Sequence, residues 1–205
     1  MHRWTLVFAV LGGCGGWRGE VDGRPVGGRQ AIFDVERVEI PLFGDFDVVS
    51  LVLTDVASPC DTLDRLNDAA ALPCDESCAA VADIADEIGT NDHWQALLYA
   101  VTEAGEVVGS YNWKDAEILG DREFDGQLAW WDLRGADDIA ACTAACEDGT
   151  SVIASDTFDA QSGTLTVDAF EPEVSLDGEI DVGFGGEDAV AGVLHAESCP
   201  ALSNL

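Results

Sequence analysis

Two periods of apolar and polar residues alternate along this chain, and the changes between them mark its elements. Ala31 to Ile40 places Ile32, Val38 and Ile40 in an extended pattern, broken at Pro41-Leu42-Phe43-Gly44-Asp45. Phe46 to Leu53 is β-branched and nearly continuously apolar, which predicts a central strand buried on both faces. The period then becomes helical. Cys60 to Leu72 carries Leu63, Leu66 and Ala70 at helical spacing before Pro73 stops it. Cys74 to Ile88 aligns Cys74, Cys78, Val81, Ala82, Ala85 and Ile88 on one face and ends at Gly89. After Asn91-Asp92 the strand pattern returns in Trp94 to Thr102 and Val107 to Trp113, around a hairpin turn predicted at Glu103-Ala104-Gly105-Glu106. Glu123 to Leu133 is a further strand, and Asp137 to Cys146 a short alanine-rich helix with acids at its start. Ser151 to Ala154, Gly163 to Phe170, Glu179 to Phe184 and Val190 to Ala196 complete a meander.

Eight or nine short strands with two or three helices predict a mainly β (α+β) domain over residues 31–205. The expected architecture is an antiparallel β-sandwich or partly closed barrel with the helices laid against it. Residues 15–30 hold six glycines and a proline without an apolar period, which reads as a flexible tether with a reach of ~20–25 Å.

Residues 1–13 begin with Arg3 and continue in an apolar run from Trp4 to Leu11, too short for the ~20 residues of a membrane-spanning helix but suited to a secretory signal peptide. The run ends in Leu11-Gly12-Gly13-Cys14, which resembles the lipobox of bacterial lipoproteins: an aliphatic residue, two small residues, then cysteine. The resemblance implies lipidation of Cys14, palmitate among the attached chains, and cleavage before it. Cys14 would then be the mature N-terminus and the contact with the membrane. Gly15 stands where that family carries Asp for inner-membrane retention, so the resemblance implies the outer membrane. The mature part is broadly similar to uncharacterised acidic secreted lipoproteins, a likeness that implies no activity.

Composition narrows the partners. The formal charge is −31, from 40 acidic and 9 basic residues, and Lys114 is the single lysine. Such a surface repels nucleic acid and anionic headgroups. Solubility in a salty exterior explains the charge, and cation binding is the sharper alternative. An apolar content of 47% is that of a folded domain, not of a disordered acidic chain. Without Cys14, six cysteines remain: Cys60, Cys74, Cys78, Cys142, Cys146 and Cys199. In an exported chain these imply disulfides, with fifteen pairings possible. The Cys-x-x-x-Cys spacing places each close pair on one helical face, so two helices could join by two cross-links while Cys60 and Cys199 close nearly the whole domain. Metal ligation and redox catalysis are the alternatives.

Candidate chemistry is sparse. Glu173, Ser175, Asp177 and Asp181 bracket Gly178 in a spacing like part of a calcium loop, although Phe184 stands where the bidentate Glu belongs; the plain reading is a hairpin with Asp177-Gly178 at its turn. Trp113, Trp130 and Trp131 lie on predicted strands, and the adjacent pair must face opposite sides, leaving a ligand patch or packing as the choices. Beyond His2, only His93 and His195 could act as acid or base. Motifs of serine hydrolases, zinc proteases, P-loops and dinucleotide folds are missing from the sequence. The chain is therefore expected to be a cell-envelope lipoprotein with a non-catalytic binding or structural role toward a protein or glycan, and without a cofactor. The alternatives are a calcium-dependent adhesion or ligand-binding module and, less favoured, a hydrolase built on a histidine and an acid.

Overall fold

A computed structural model describes residues 16–28, 30–41, 43–89, 92–115, 119–133, 137–150 and 154–204. The leader, the lipobox and Cys14 lie outside the described residues. The strands are β1 (Trp17–Val21), β2 (Arg24–Gly28), β3 (Gln30–Ile40), β4 (Gly44–Thr54), β5 (Asp92–Glu103), β6 (Gly109–Trp113), β7 (Glu123–Asp132), β8 (Ala154–Asp159), β9 (Ser162–Glu171), β10 (Ser175–Gly185) and β11 (Asp188–Ser198). The helices are α1 (Pro59–Ala70), α2 (Cys74–Ile88) and α3 (Ile139–Glu147), with a 3₁₀ segment at Pro200–Asn204.

Eight strands form a closed barrel in the order β10-β9-β6-β7-β5-β4-β3-β11, with β11 returning to β10. Six of the contacts round the ring are antiparallel; β6 meets β7, and β11 meets β3, in parallel over two residue pairs each. β8 lies outside the ring beside β7, and the β1–β2 hairpin extends from β11. The fold expectation of a mainly β, barrel-like domain with disulfide-linked helices is met.

Period-two alternation fills the barrel. Val49, Leu51 and Leu53 of β4, Ala96, Leu98 and Ala100 of β5, Phe124 and Leu128 of β7, and Leu165 and Val167 of β9 all point inward and are buried. Each large side chain so buried contributes about 1.5–3 kcal/mol. β4 is buried on both faces only from Leu51 to Thr54, because Val52 there meets Ile32, Leu63, Cys199 and Leu202 outside the ring; its first half alternates.

Both ends of the barrel are covered. At the end where β4 stops and β5 starts, the β1–β2 hairpin contributes Trp17, Val21 and Val26 to the core, and Trp17 meets Trp94 edge-on at 6.3 Å. The Arg24 guanidinium stacks 5.2 Å from the Trp130 ring and lies 3.3 Å from Asp156 of β8 and 3.8 Å from Asp22. Glycine makes this seating possible. A Cβ on Gly19 would fall 1.8 Å from the Ala189 carbonyl oxygen, and one on Gly192 would fall 2.4 Å from that of Gly16. At the opposite end the connection from β5 to β6 buries Val107, whose carbonyl accepts from the Tyr111 hydroxyl at 2.6 Å.

Four expectations need correction. Most of the tether expected at residues 15–30 is instead the β1–β2 hairpin, held by three apolar anchors. Glu103-Ala104-Gly105-Glu106 makes a turn but no hairpin: β5 pairs with β4 and β7, whereas β6 pairs with β9 and β7, because Val107 and Tyr111 carry the chain across the barrel end. The strand expected from Ser151 starts at Ala154, residues 151–153 lying outside the described set. Asp177-Gly178 is not a turn: the chain reverses at residues 172–174, and those two residues mark a bulge within the β9–β10 ladder.

Candidate functional site

The helices form a separate layer on the outer wall. Pro59 at its first turn and Asp61 suit the start of α1, and Asp75 and Glu76 the start of α2; Gly89, at φ 99°, ends α2. Asp138 caps α3, its Oδ1 accepting the Ala141 N–H at 3.0 Å. α1 buries only Ala69, α2 buries Cys78, Ile84 and Ala85, and α3 buries none of its residues. Two small apolar clusters seat this layer on the wall, Cys60 and Leu63 against Ile32, Val52 and Leu202, and Val81, Ala85 and Ile88 against Trp131 and Leu133, and covalent bonds add to them. Cys74–Cys146 and Cys78–Cys142 join α2 to α3, and Cys60–Cys199 joins the start of α1 to the end of β11. The Asn67 side-chain amide adds a 2.9 Å bond to the Ala201 carbonyl.

Between α1 and α2 runs an open groove of about 470 Å³. Ala69, Leu72, Ala80 and Ile84 give it an apolar lining; Arg65, Asp68 and Asp83 give it a polar edge. Leu72 is 42% exposed, and Arg65 is bound to Glu87 at 2.5 Å. The two helices carry eight acids against that one arginine. An apolar floor under a negative rim suits a non-covalent contact with a cationic, amphipathic surface.

The candidate residues from the sequence do not gather here. Trp130 faces the barrel core, Trp131 faces outward beneath α2 with Ala85 and Leu133, and Trp113 packs against the core from β6. The opposite orientation of Trp130 and Trp131 is as expected, but the three do not form one patch. Glu173 sits in the 172–174 turn with φ 59°, while Ser175, Asp177 and Asp181 are spread along β10. Alternate residues on a strand stand ~6.6–6.8 Å apart, so β10 does not wrap an ion as a loop does. Among the described residues no three His, Cys, Asp or Glu side chains converge as a metal site.

The two described histidines, His93 and His195, each meet a carboxylate, and neither lines the groove. His93 Nε2 is 3.1 Å from the Gly89 carbonyl, and Nδ1 is 3.4 Å from Asp55, which also accepts the Trp94 N–H at 3.1 Å. On the exposed wall His195 Nδ1 lies 2.5 Å from Asp177, taking up one of the residues of the candidate calcium set.

Among the described residues the one buried acid is Asp47, which was not singled out from sequence. Asp47 accepts from Arg37 at 2.9 and 3.2 Å and from the Gly105 N–H at 2.7 Å. Burial pushes its carboxyl up, but those donors outweigh burial and hold it below the usual carboxylate range. Its signal was an acid inside the apolar run Phe46 to Leu53. Nearby, Lys114 and the Gly120 N–H hold the Glu123 carboxyl low, and burial pushes the Tyr111 hydroxyl up. The Asp47 and Tyr111 bonds pin the β5–β6 connection that crosses the barrel end.

No family model, curated protein or solved structure matches this chain. The helical layer and its groove are thus read from their own chemistry.

Proposed function

We propose that this protein is an exported, lipid-anchored module of a bacterial cell envelope, probing its surroundings through non-catalytic contacts of its helical layer. The observation that carries the reading is the fate of the cysteines. Cys60, Cys74, Cys78, Cys142, Cys146 and Cys199 are consumed pairwise in three disulfides, as suits an oxidising compartment. The cysteine left over is Cys14, the residue at the lipidation position of Leu11-Gly12-Gly13-Cys14. The partner is a protein or glycan surface, with cationic and apolar groups favoured by the α1–α2 groove.

Intact mass of protein recovered from membranes of the native host tests the anchor. The expected product begins at Cys14 and carries acyl chains, and Cys14→Ala moves the protein out of the membrane fraction. A mature protein cut elsewhere, or carrying an unmodified Cys14, defeats the reading.

A further inference from the structure

The folded domain starts very close to the proposed anchor. Trp17 is buried and pairs with Gly192, and the Gly16 carbonyl accepts the Val193 N–H at 3.2 Å. Only Gly15 separates Cys14 from Gly16. An extended chain advances at most ~3.6 Å per residue, so Cys14 lies within ~7 Å of Gly16. A tether of sixteen flexible residues would have allowed the domain to stand clear of the headgroups; this one does not.

The stretch of chain that enters the fold there is less acidic than the rest of the sequence. Residues 15–30 carry Arg18, Arg24 and Arg29 against Glu20 and Asp22, whereas residues 31–205 carry five basic residues against 38 acids. Arg24 is engaged with Trp130, Asp156 and Asp22. Arg18 is exposed and, among the described residues, has no ion-pair partner; it stands level with Ala191 and Gly27 on the neighbouring strands. Val193, next to the entry point, is 47% exposed. That face also carries Glu20, two residues from Arg18, and β10 sets Asp181 and Glu179 opposite Ala191 and Val193, so it is the wall's nearness to Cys14, and not its charge, that brings it to the headgroups.

We infer that the outer face of β1, β2 and β11 is a membrane-apposed surface, seated on the phospholipid headgroups around the lipidated Cys14. The inference rests on the lipid-anchor reading above. It fixes one orientation: the hairpin wall lies down on the bilayer, and the β5–β6 connection with exposed Val108 stands away from it.

The test uses the full lipidated protein in phosphatidylcholine vesicles doped with a headgroup-linked quencher. A fluorescent non-natural side chain replaces Pro25 in one variant, Val193 in a second and Val108 in a third. Quenching at positions 25 and 193 is expected to exceed that at 108 several-fold. Inserting about 15 Gly and Ser residues after Gly15, a reach of ~20 Å, is expected to remove the difference. Equal quenching at the three positions, in protein whose mass shows lipidated Cys14, overturns the surface and leaves the anchor standing. A mass showing unmodified Cys14 overturns both. Should the variant at position 25 or at 193 fail to fold, the other supplies the same comparison.

Discussion

Inside the barrel Tyr111, Phe124 and Leu128 are wholly buried, and strands far apart in sequence share one continuous core. On the outer wall α3 has no fully buried residue, and α1 has a single one, Ala69. The barrel is held by apolar burial that any change of side-chain volume disturbs. In the helical layer, bonds spanning 72 and 64 residues tie α3 to α2, and one spanning 139 ties the start of α1 to the end of β11, beside two small apolar clusters. A surface layer stapled in this way can vary its exposed residues without loss of position, because its attachment does not depend on them.

The largest effect is expected where the core is cut. Phe124→Ala should cost about 3–5 kcal/mol in urea unfolding. Trp17→Ala should cost nearly as much, because the hairpin is part of the same core; a loss under about 1 kcal/mol would return residues 17–28 to the status of a tether.

Next comes the staple itself. Replacing Cys74, Cys78, Cys142 and Cys146 by serine removes two bonds, each worth up to about 4 kcal/mol in the chain-entropy model. The expected outcome is local: faster amide exchange in α3 and α2, with the barrel strands still protected. Simultaneous loss of protection in both regions would show one cooperative unit and break the comparison.

A smaller effect is expected at the barrel end. Asp47→Asn leaves a strong acceptor weakened beside the Gly105 N–H and Arg37, at about 1–3 kcal/mol. Because the folded state holds the Asp47 carboxyl low, its contribution is present above about pH 4, the unfolded value, and is lost as pH falls through the depressed one. The variant should therefore lose less stability on acidification than the parent, as read from melting temperature against pH.

The periods of the chain revealed most of its elements. α2, with its six-residue face, and the runs that became β4, β5 and β7 carry enough apolar residues for the pattern to stand out. The Cys-x-x-x-Cys spacing likewise pointed to helix cross-links. β1 and β2 escaped because only Trp17, Val21 and Val26 anchor them, while Gly19 looks like tether composition yet is needed for contact with Ala189. The β5–β6 turn misled for another reason: local residues set a reversal of direction, but partner choice depends on what fills the barrel end. The groove was invisible, since it arises from how α1 and α2 cross and not from any motif. Asp47 was visible as an acid in an apolar run, but its partners Arg37 and Gly105 are fixed only by register.

β11 touches β10, β1 and β3, and so joins the beginning of the described chain to its end. This has a consequence in time. β11 begins at Asp188, about 170 residues after Trp17, so every partner it closes precedes it along the chain. Until β11 is in place the hairpin has no seat, the ring has no seam, and Cys60 has no partner in Cys199. A chain ending before residue 188 would leave β10 and β3 each without its β11 neighbour, two raw edges of the kind that other chains can add to.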